Sequence, residues 1–564
     1  MPAAAVAPAR AKANPTRELT IVAEWVGRTP LLEPVEVPYE KPAPGPRGYR
    51  VHVIDYDAST RNFVQPAVIP IAPDVENSAF HAQSVYAVIM RTLWRFEYAL
   101  GRNVGWSFDG GHQIHVAPHA FQGANAFYSR RDRGLFFGYF KDEGNRTINT
   151  CLSHDVIAHE TTHAILDGLR EGYYYASLPD QAAFHEGFAD VVALLAMFSL
   201  PRVLRVLIDA HATKSGLTTS LNRIARKWLT DENLKGSALL GLGDGIGDRG
   251  AALRRSIAIV PSPDLLDRPQ NREPHNRGEI LVAAVMRAFL DIWLKRIASL
   301  GDANTVELDR DRVADEGALA ADHLLTMAIR ALDYSPSAGI EFRDYLSALL
   351  TADYEVQTDD SKFHYRDKLR DAFAQYGITP LKTRGAEKNL WSPPSEEFDY
   401  RHLHFEAMQR DKDAVFRFIW QNRRALNLCD SAYTQVRSLR PCIRLSWDGF
   451  VIRETVAEYV EMLSVQASEL RGLKIRKPDG MTEETPVKLF GGGVLIFDEY
   501  GKVKYHIKQV VLDPDRQERF IEHLYRTGYY VNTRGAKTRR FASLHRSRLM
   551  GATTFTQEAQ DEFF

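Results

Sequence analysis

The segment HDVIAHETTHAILDGL, residues 154–169, places two histidines four positions apart, with a glutamate directly after the first. On a helix, positions i and i+4 lie one turn apart on the same face. His159 and His163 can therefore both aim an imidazole nitrogen at one ion about 2.0–2.1 Å away. Glu160 then lies beside that ion and not on it, where its carboxylate can take a proton from a water molecule. The spacing predicts two metal ligands and a general base on one helix.

A bare HExxH pattern is only moderately specific, because a chain of 564 residues with 18 histidines can carry one by accident. A catalytic zinc also needs a third protein ligand and an open position. The segment PDQAAFHEGFADVVALLAMF offers one, since Glu186 opens an apolar-periodic helix and Asp190 follows on the same face. Two acids on the apolar side of a helix need a partner. We therefore predict Glu186 as the third ligand and Asp190 as the acceptor that orients His159.

HDVIAHETTHAILDGL followed by HEGFAD resembles the thermolysin-like metallopeptidases, the gluzincins. The resemblance covers roughly residues 49–375. It implies a strand-rich N-lobe that ends in the HExxH helix and a mainly helical C-lobe. It also implies one catalytic Zn²⁺ held by His159, His163 and Glu186. In this mechanism Glu160 is the general base and a metal-bound water is the nucleophile. The activity implied is that of a neutral metalloendopeptidase, whose substrate is a protein or peptide.

The resemblance extends to the flanking segments. GANAFYS is similar to the family's edge strand that aligns peptide substrates, which implies a substrate hydrogen bond for Asn125 and a carbonyl contact for Ala126. EPHNRGEI is similar to the segment with the histidine that stabilises the oxyanion, so this role falls to His275. The acid that orients this histidine is displaced relative to the family, and Glu273 is the nearest candidate.

Two further roles come from the resemblance alone. A tyrosine near the zinc is implied at Tyr174, with Tyr173 or Tyr175 as its alternatives after a small shift. An arginine that holds the ligand region and the substrate carbonyl is implied at Arg254, with Arg255 close behind.

The sequence also departs from the family. The loop before Glu186 is slightly longer than the family's, which makes His185 a rival ligand. Asp155 matches an acid that helps to bind calcium in the family, but Met197 stands where another calcium ligand is expected, which argues against a structural Ca²⁺.

The order of strand and helix patterns predicts an α+β fold. A Pro/Ala-rich lead-in, residues 1–47, is placed outside the core, and the two lobes follow at 48–165 and 166–380. A polar, Pro-rich linker at 381–397 separates them from a smaller α+β domain of unknown role at 398–564. Strands are predicted at 49–57, in HQIHVAP, NAFYS and GLFFGYF, and in the hairpin GVLIFDEYGKVKYHI, and helices at 80–100 and from Pro514 to about Arg526.

Charge and composition argue against several classes of protein. The 71 basic residues balance 72 acidic ones, so no global field would attract nucleic acid or an anionic membrane. No run reaches the roughly 18–20 apolar residues of a membrane span, and the N-terminus has no continuous apolar stretch typical of a Sec signal peptide. Three scattered cysteines fit reduced thiols. We expect a cytoplasmic protein, with leaderless export left open.

Two rival functions stay open at this point. The zinc could be structural or vestigial, and the protein would then act by binding an unknown protein partner through residues 386–564. A fourth protein ligand such as His185 would favour that hypothesis. Alternatively, the protein could be an aminopeptidase, since HExxH with a distant glutamate serves both chemistries, although no GxMEN-type amine-recognition sequence is present.

Overall fold

The computed structural model describes residues 15–57, 62–108, 112–142, 144–174, 177–214, 222–239, 256–302, 304–381, 389–401, 404–445, 449–526 and 529–530. Strands dominate the first part of the chain, in the order β1 (Thr16–Val26), β2 (Thr29–Pro38), β3 (Val51–Val53), β4 (Tyr56–Asp57), β5 (Asn62–Phe63), α1 (Ser78–Leu100), β6 (Ile114–Gln122), β7 (Ala126–Ser129), β8 (Gly134–Lys141) and β9 (Thr147–Asn149).

The middle of the chain is mainly helical: α2 (His154–Leu169), α3 (Pro179–Phe198), α4 (Pro201–Lys214), β10 (Arg223–Ala225), α5 (Asp231–Leu239), α6 (Pro274–Ala298), β11 (Glu307–Asp309), α7 (Arg310–Arg330), α8 (Phe342–Val356) and α9 (Tyr365–Gln375). The last part is mixed: α10 (Phe405–Met408), α11 (Lys412–Gln421), β12 (Tyr433–Leu445), β13 (Val451–Gln466), β14 (Pro486–Phe497), β15 (Val503–Gln509) and α12 (Pro514–Arg526). The fold class is α+β, as the sequence predicts.

The sheet nearest the HExxH helix has the order β3-β6-β8-β7, with β9 paired to the far end of β8. Strands β3, β6 and β8 run parallel, whereas β7 and β9 run antiparallel to β8. Its three main strands confirm the strands predicted in HQIHVAP, NAFYS and GLFFGYF. Strand β7 pairs only with β8 among the described residues, so it lies at an edge of this sheet.

The exclusion of residues 1–47 from the core is wrong for the part that forms β1 and β2. These strands pair as an antiparallel hairpin, and Leu19, Ile21 and Val35 are buried in the main core. The Pro- and Ala-rich composition of the surrounding segment obscured the β-branched and aromatic residues of TRELTIVAEWV, which favour a strand. The N-terminal hairpin therefore contributes to the unit that carries the HExxH helix.

The C-terminal sheet has the order β12-β13-β14-β15 and is antiparallel throughout. It includes the predicted hairpin, and α12 confirms the predicted helix after Asp513. Side chains from this sheet join the main core, namely Cys442, Val456, Val494, Ile496, Tyr505 and Ile507. The sheet thus packs directly against the strand and helix unit that precedes it.

Buried charges reinforce this packing. The Asp333 carboxylate lies 2.6 Å from Arg102 Nη1 and also contacts Arg444 of β12, which in turn pairs with Glu454 of β13. Burial alone would raise the pKa of Asp333, but the Arg102 and Arg444 guanidinium groups hold that pKa well below its usual range. Asp333 is therefore a charged link between the C-terminal sheet and the rest of the protein.

Among the described residues, no single helix has the length and apolar character needed to cross a membrane. Two consecutive helices, Pro179–Phe198 and Pro201–Ala212, together have the length and apolar composition of a span, but the pair is bent by 84°.

We expect Asp333→Asn to lower the free energy of unfolding by about 3–5 kcal/mol, because the change removes the carboxylate that pairs with buried Arg102 and leaves buried Arg444 with Glu454 alone. Denaturant titration followed by tryptophan fluorescence measures the effect. Glu522→Gln is the control, since Glu522 pairs with Arg526 on an exposed helix face and its loss should cost at most about 1 kcal/mol. Equal effects of the two changes would contradict the role given to Asp333.

Candidate metal centre

Helix α2 is buried on nearly all sides, which fixes the direction of its polar side chains. Its apolar residues Val156, Ile157 and Ile165 pack in the core. On the same helix, His159 Nε2 lies 2.9 Å from His163 Nε2, and the two rings are perpendicular with centroids 4.4 Å apart. The i, i+4 spacing therefore brings the two imidazoles together as the sequence predicts.

Helix α3 packs against α2 and brings a carboxylate to this pair. Glu186 Oε2 lies 3.4 Å from both His159 Nε2 and His163 Nε2. On the next turn of α3, Asp190 Oδ1 lies 2.6 Å from His159 Nδ1. The three predicted ligands thus converge, with Asp190 behind one of them. We call His159, His163 and Glu186 the triad.

The donor set of the triad fits a zinc ion. Asp190 faces His159 Nδ1 and His185 Nδ1 lies 2.8 Å from His163 Nδ1, so both histidines have a partner on the side away from the triad. Two Nε2 lone pairs that face each other at 2.9 Å repel unless a proton or a cation lies between them. Two nitrogen ligands about 2.0–2.1 Å from one ion at the tetrahedral angle lie about 3.3 Å apart. The observed separations of 2.9 and 3.4 Å are close to that value.

The carboxylate behind His159 changes the chemistry of its ring. Burial lowers the pKa of His159, but the charge and hydrogen bond of Asp190 outweigh it and raise that pKa to about 10. A carboxylate in this position makes an imidazole more basic and fixes its orientation, which strengthens a metal–nitrogen bond. Burial and the neighbouring His159 lower the pKa of His163, so the two rings differ in proton affinity.

Glu160, the predicted base, lies between the triad and the edge strand of the N-terminal sheet. It is buried on α2, and the backbone N–H of Tyr128 on β7 donates to Glu160 Oε2 at 3.0 Å. The sequence did not predict this contact, because it joins two elements whose relative position depends on the whole sheet. It sets the orientation of the Glu160 carboxylate and places the base beside the strand expected to align a substrate.

His275 joins the triad from a third helix. It lies in the first turn of α6, and its Nε2 is 2.9 Å from Glu186 Oε1. Glu273 is the N-cap of α6: its carboxylate accepts from the Asn276 N–H and also lies 3.0 Å from His275 Nδ1. The cap and the histidine are therefore positioned by one carboxylate, and the predicted pair His275 and Glu273 is brought together at the triad.

Two glycines allow α3 and α6 to approach closely at this point. A Cβ added to Gly187 would lie 2.7 Å from the Gly278 carbonyl oxygen, and one added to Gly278 would lie 2.8 Å from the Ala183 carbonyl oxygen. Real Cβ atoms are not found at such distances from backbone. Gly187 directly follows Glu186, and Gly278 is in the turn after His275. Close backbone contact thus sets the distance between these two functional side chains.

His185, the predicted rival ligand, lies outside the triad. Its ring stacks on that of His163 with centroids 4.8 Å apart, and its Nδ1 faces His163 Nδ1, the nitrogen away from Glu186. His185 therefore supports the orientation of His163 and does not compete with Glu186. His185 directly precedes Glu186 in the sequence. Because adjacent residues on a helix point in different directions, this position already separates the two side chains.

The other predicted residues lie as follows. Asn125 is buried just before β7 and its Oδ1 accepts from the Ala126 N–H at 2.8 Å, while Ala126 is the first residue of the edge strand. Tyr173 is buried, and its hydroxyl donates to the Pro336 carbonyl oxygen, so it is engaged away from the triad. The side chain of Tyr174 and the whole of Tyr175, Arg254 and Arg255 fall outside the described residues.

The two residues that bear on a calcium ion lie on different helices. Met197 is fully buried in the core, and Asp155 lies in the first turn of α2. Among the described residues, two groups of three His, Cys, Asp or Glu side chains could hold an ion, and Asp155 belongs to neither.

Comparison with known protein families finds no family that matches the chain, and comparison with curated proteins finds no match either.

We expect Asp190→Asn to weaken zinc binding by about 10–100-fold, because the change removes the charge that holds His159 Nδ1. Competition with a chromophoric chelator gives the dissociation constant. Glu232→Gln on α5 makes the same kind of change at an exposed position and should leave the constant unaltered. A zinc affinity equal to that of the parent in Asp190→Asn would remove the support role from this residue.

Proposed function

We propose that the protein is a zinc metalloendopeptidase that hydrolyses peptide bonds in proteins, with the two-lobe arrangement of the thermolysin-like enzymes. The observation that carries the proposal is the convergence of the triad, whose ligand atoms lie within 4.8 Å of one another. A His₂Glu donor set is typical of catalytic zinc, which keeps one coordination position open. The neighbouring Glu160 and the edge strand β7 add the two other parts that such an enzyme requires.

Zinc bound to the triad would polarise the scissile carbonyl and lower the pKa of water to near neutrality. Glu160 accepts the proton of the attacking water and later delivers it to the leaving amine. The Tyr128 N–H on one of its oxygens holds the carboxylate in place for this transfer. His275 Nε2 faces Glu186 Oε1 in this structure and would exchange that contact for the oxyanion of the tetrahedral intermediate, while the Glu273 contact at Nδ1 keeps the ring oriented.

The edge strand favours an endopeptidase over an aminopeptidase. An extended peptide can add to a sheet edge as a further strand, held by main-chain hydrogen bonds along its length. Strand β7 is such an edge, and it runs past Glu160. Binding of this kind needs no free substrate N-terminus, whereas an aminopeptidase requires groups that recognise one.

The hypothesis of a structural zinc needs a fourth protein ligand. His185 was the candidate, and its nearest nitrogen faces the Nδ1 side of His163. The three ligands of the triad are the only members of that group among the described residues, which favours a coordination position for solvent and substrate.

Glu160→Gln tests the proposal directly. We expect the variant to bind zinc as the parent does and to lose about 10²–10⁴-fold in kcat/KM, because an amide cannot accept the proton of water. A diverse peptide pool, incubated with and without a chelator and read by mass spectrometry, reports the cleavage sites. Glu232→Gln serves as the matched control with an intact site. Cleavage by Glu160→Gln at the parent rate would end the proposal.

A second variant tests the oxyanion donor. His275→Phe should lower kcat by about 10²–10³-fold with a smaller change in KM, because the lost hydrogen bond forms mainly in the transition state. Glu273→Gln should give a smaller loss, since the donor is kept and only its orientation is loosened. Steady-state kinetics on one peptide from the pool separate the two constants. An unchanged kcat in His275→Phe would show that this histidine does not act in the reaction.

A further inference from the structure

A second group of metal-ligand side chains shares no residue with the triad and comes from three different elements. His81 is on α1, His119 is on β6, and Cys151 lies in the 3₁₀ turn Thr150–Leu152 that leads into α2. Their ligand atoms all lie within 4.8 Å of one another. His81 Nδ1 is 2.9 Å from His119 Nε2, and Cys151 Sγ is 3.9 Å from the same nitrogen.

The outer nitrogen of each histidine faces a group that can only accept. His81 Nε2 lies 2.7 Å from the Val75 carbonyl oxygen, and His119 Nδ1 lies 2.8 Å from Asp55 Oδ1. Both outer nitrogens therefore carry the hydrogen, and each neutral ring turns a lone pair towards the other. Two lone pairs at 2.9 Å need a proton or a cation between them. A carboxylate or carbonyl behind a histidine is also the usual support of a metal-bound imidazole.

The separations match those of ligands around one ion. A tetrahedral zinc with bonds of about 2.0–2.1 Å to nitrogen and about 2.3 Å to sulfur places two nitrogens about 3.3 Å apart and a nitrogen and a sulfur about 3.6 Å apart. The observed 2.9 and 3.9 Å lie close to these values. Two imidazoles and a thiolate are ligands that zinc prefers.

The burial and charge of this group also favour a bound metal ion. Cys151 is fully buried, which leaves no approach for a substrate and argues against a nucleophilic thiol. The Asp55 side chain is 7% exposed, and its buried Oδ2 has no hydrogen-bond partner in the described part of the chain. One thiolate and one buried carboxylate carry two negative charges, which a divalent cation would balance.

We propose that His81, His119 and Cys151 bind a second zinc ion, separate from the one proposed for the triad. Asp55 and the Val75 carbonyl hold the two histidines from behind. No fourth His, Cys, Asp or Glu joins the group among the described residues, so water completes the tetrahedron. The ion would tie α1 and β6 to the turn that begins the HExxH helix, since Cys151 is only three positions before His154.

Cobalt substitution tests this site through its sulfur ligand, which the triad lacks. The full-length protein loaded with Co²⁺ should show a sulfur-to-cobalt charge-transfer band in the near ultraviolet, and Cys151→Ser should lose it. Cys429→Ser is the matched control and should keep the band, as should His163→Ala, which damages only the triad. A cobalt-loaded parent protein without a thiolate band would overturn the proposal, whatever the folding of the variants.

Metal counting by mass spectrometry gives an independent readout. We expect about two zinc ions per chain in the parent and about one in Cys151→Ser or His119→Ala, whereas His115→Ala on the same strand should keep both. Equal zinc content in the parent and in Cys151→Ser would overturn the second site. Failure of the peptidase proposal would look different, because peptide cleavage would be absent while the thiolate band persisted.

Discussion

The close approach of His159 Nε2, His163 Nε2 and the Glu186 carboxylate is the interaction around which the centre of this protein is arranged. Burial removes water from His163 and Glu186, and the packing of α2 on α3 leaves their polar atoms no other direction to face. Such groups are stable in the interior only when a charge of opposite sign offsets their desolvation. Asp190 and His185 contact the outer nitrogens of His159 and His163 and so orient the two rings.

The side chains of this centre come from three helices, α2, α3 and α6, and carboxylates or backbone groups hold several of them in place. The N–H of Tyr128 positions the base from the edge strand, and the N-cap of α6 positions His275. The same principle recurs at the second cluster, where Asp55 stands behind His119. Orientation by a second layer of hydrogen bonds is thus a general feature of the first half of the fold.

The residues of the triad could be found from the sequence because their spacing is local. An i, i+4 relation puts His159 and His163 on one face of α2, and Glu186 and Asp190 on one face of α3. His275 and Glu273 came from resemblance alone, since nothing in their own segment indicates a partner on α3. The second cluster could not be found, because His81, His119 and Cys151 are far apart in sequence and only the packing of α1 on the sheet brings them together.

Composition led to a wrong prediction at the N-terminal hairpin, where prolines and alanines flank a strand-forming sequence. The sequence also did not predict the ion pairs of Asp333, because its partners Arg102 and Arg444 lie more than a hundred residues away on either side.

The contact between Gly187 and Gly278 has a consequence for how this protein can change over time. Even one methyl group at either position would wedge the two backbones apart, and the shift would reach Glu186 and His275 although neither had been replaced. The spacing of Glu186 and His275 therefore depends partly on two residues that have no side chain. Substitution of Gly187 or Gly278 is therefore expected to be as damaging to this centre as substitution of His159, His163 or Glu186.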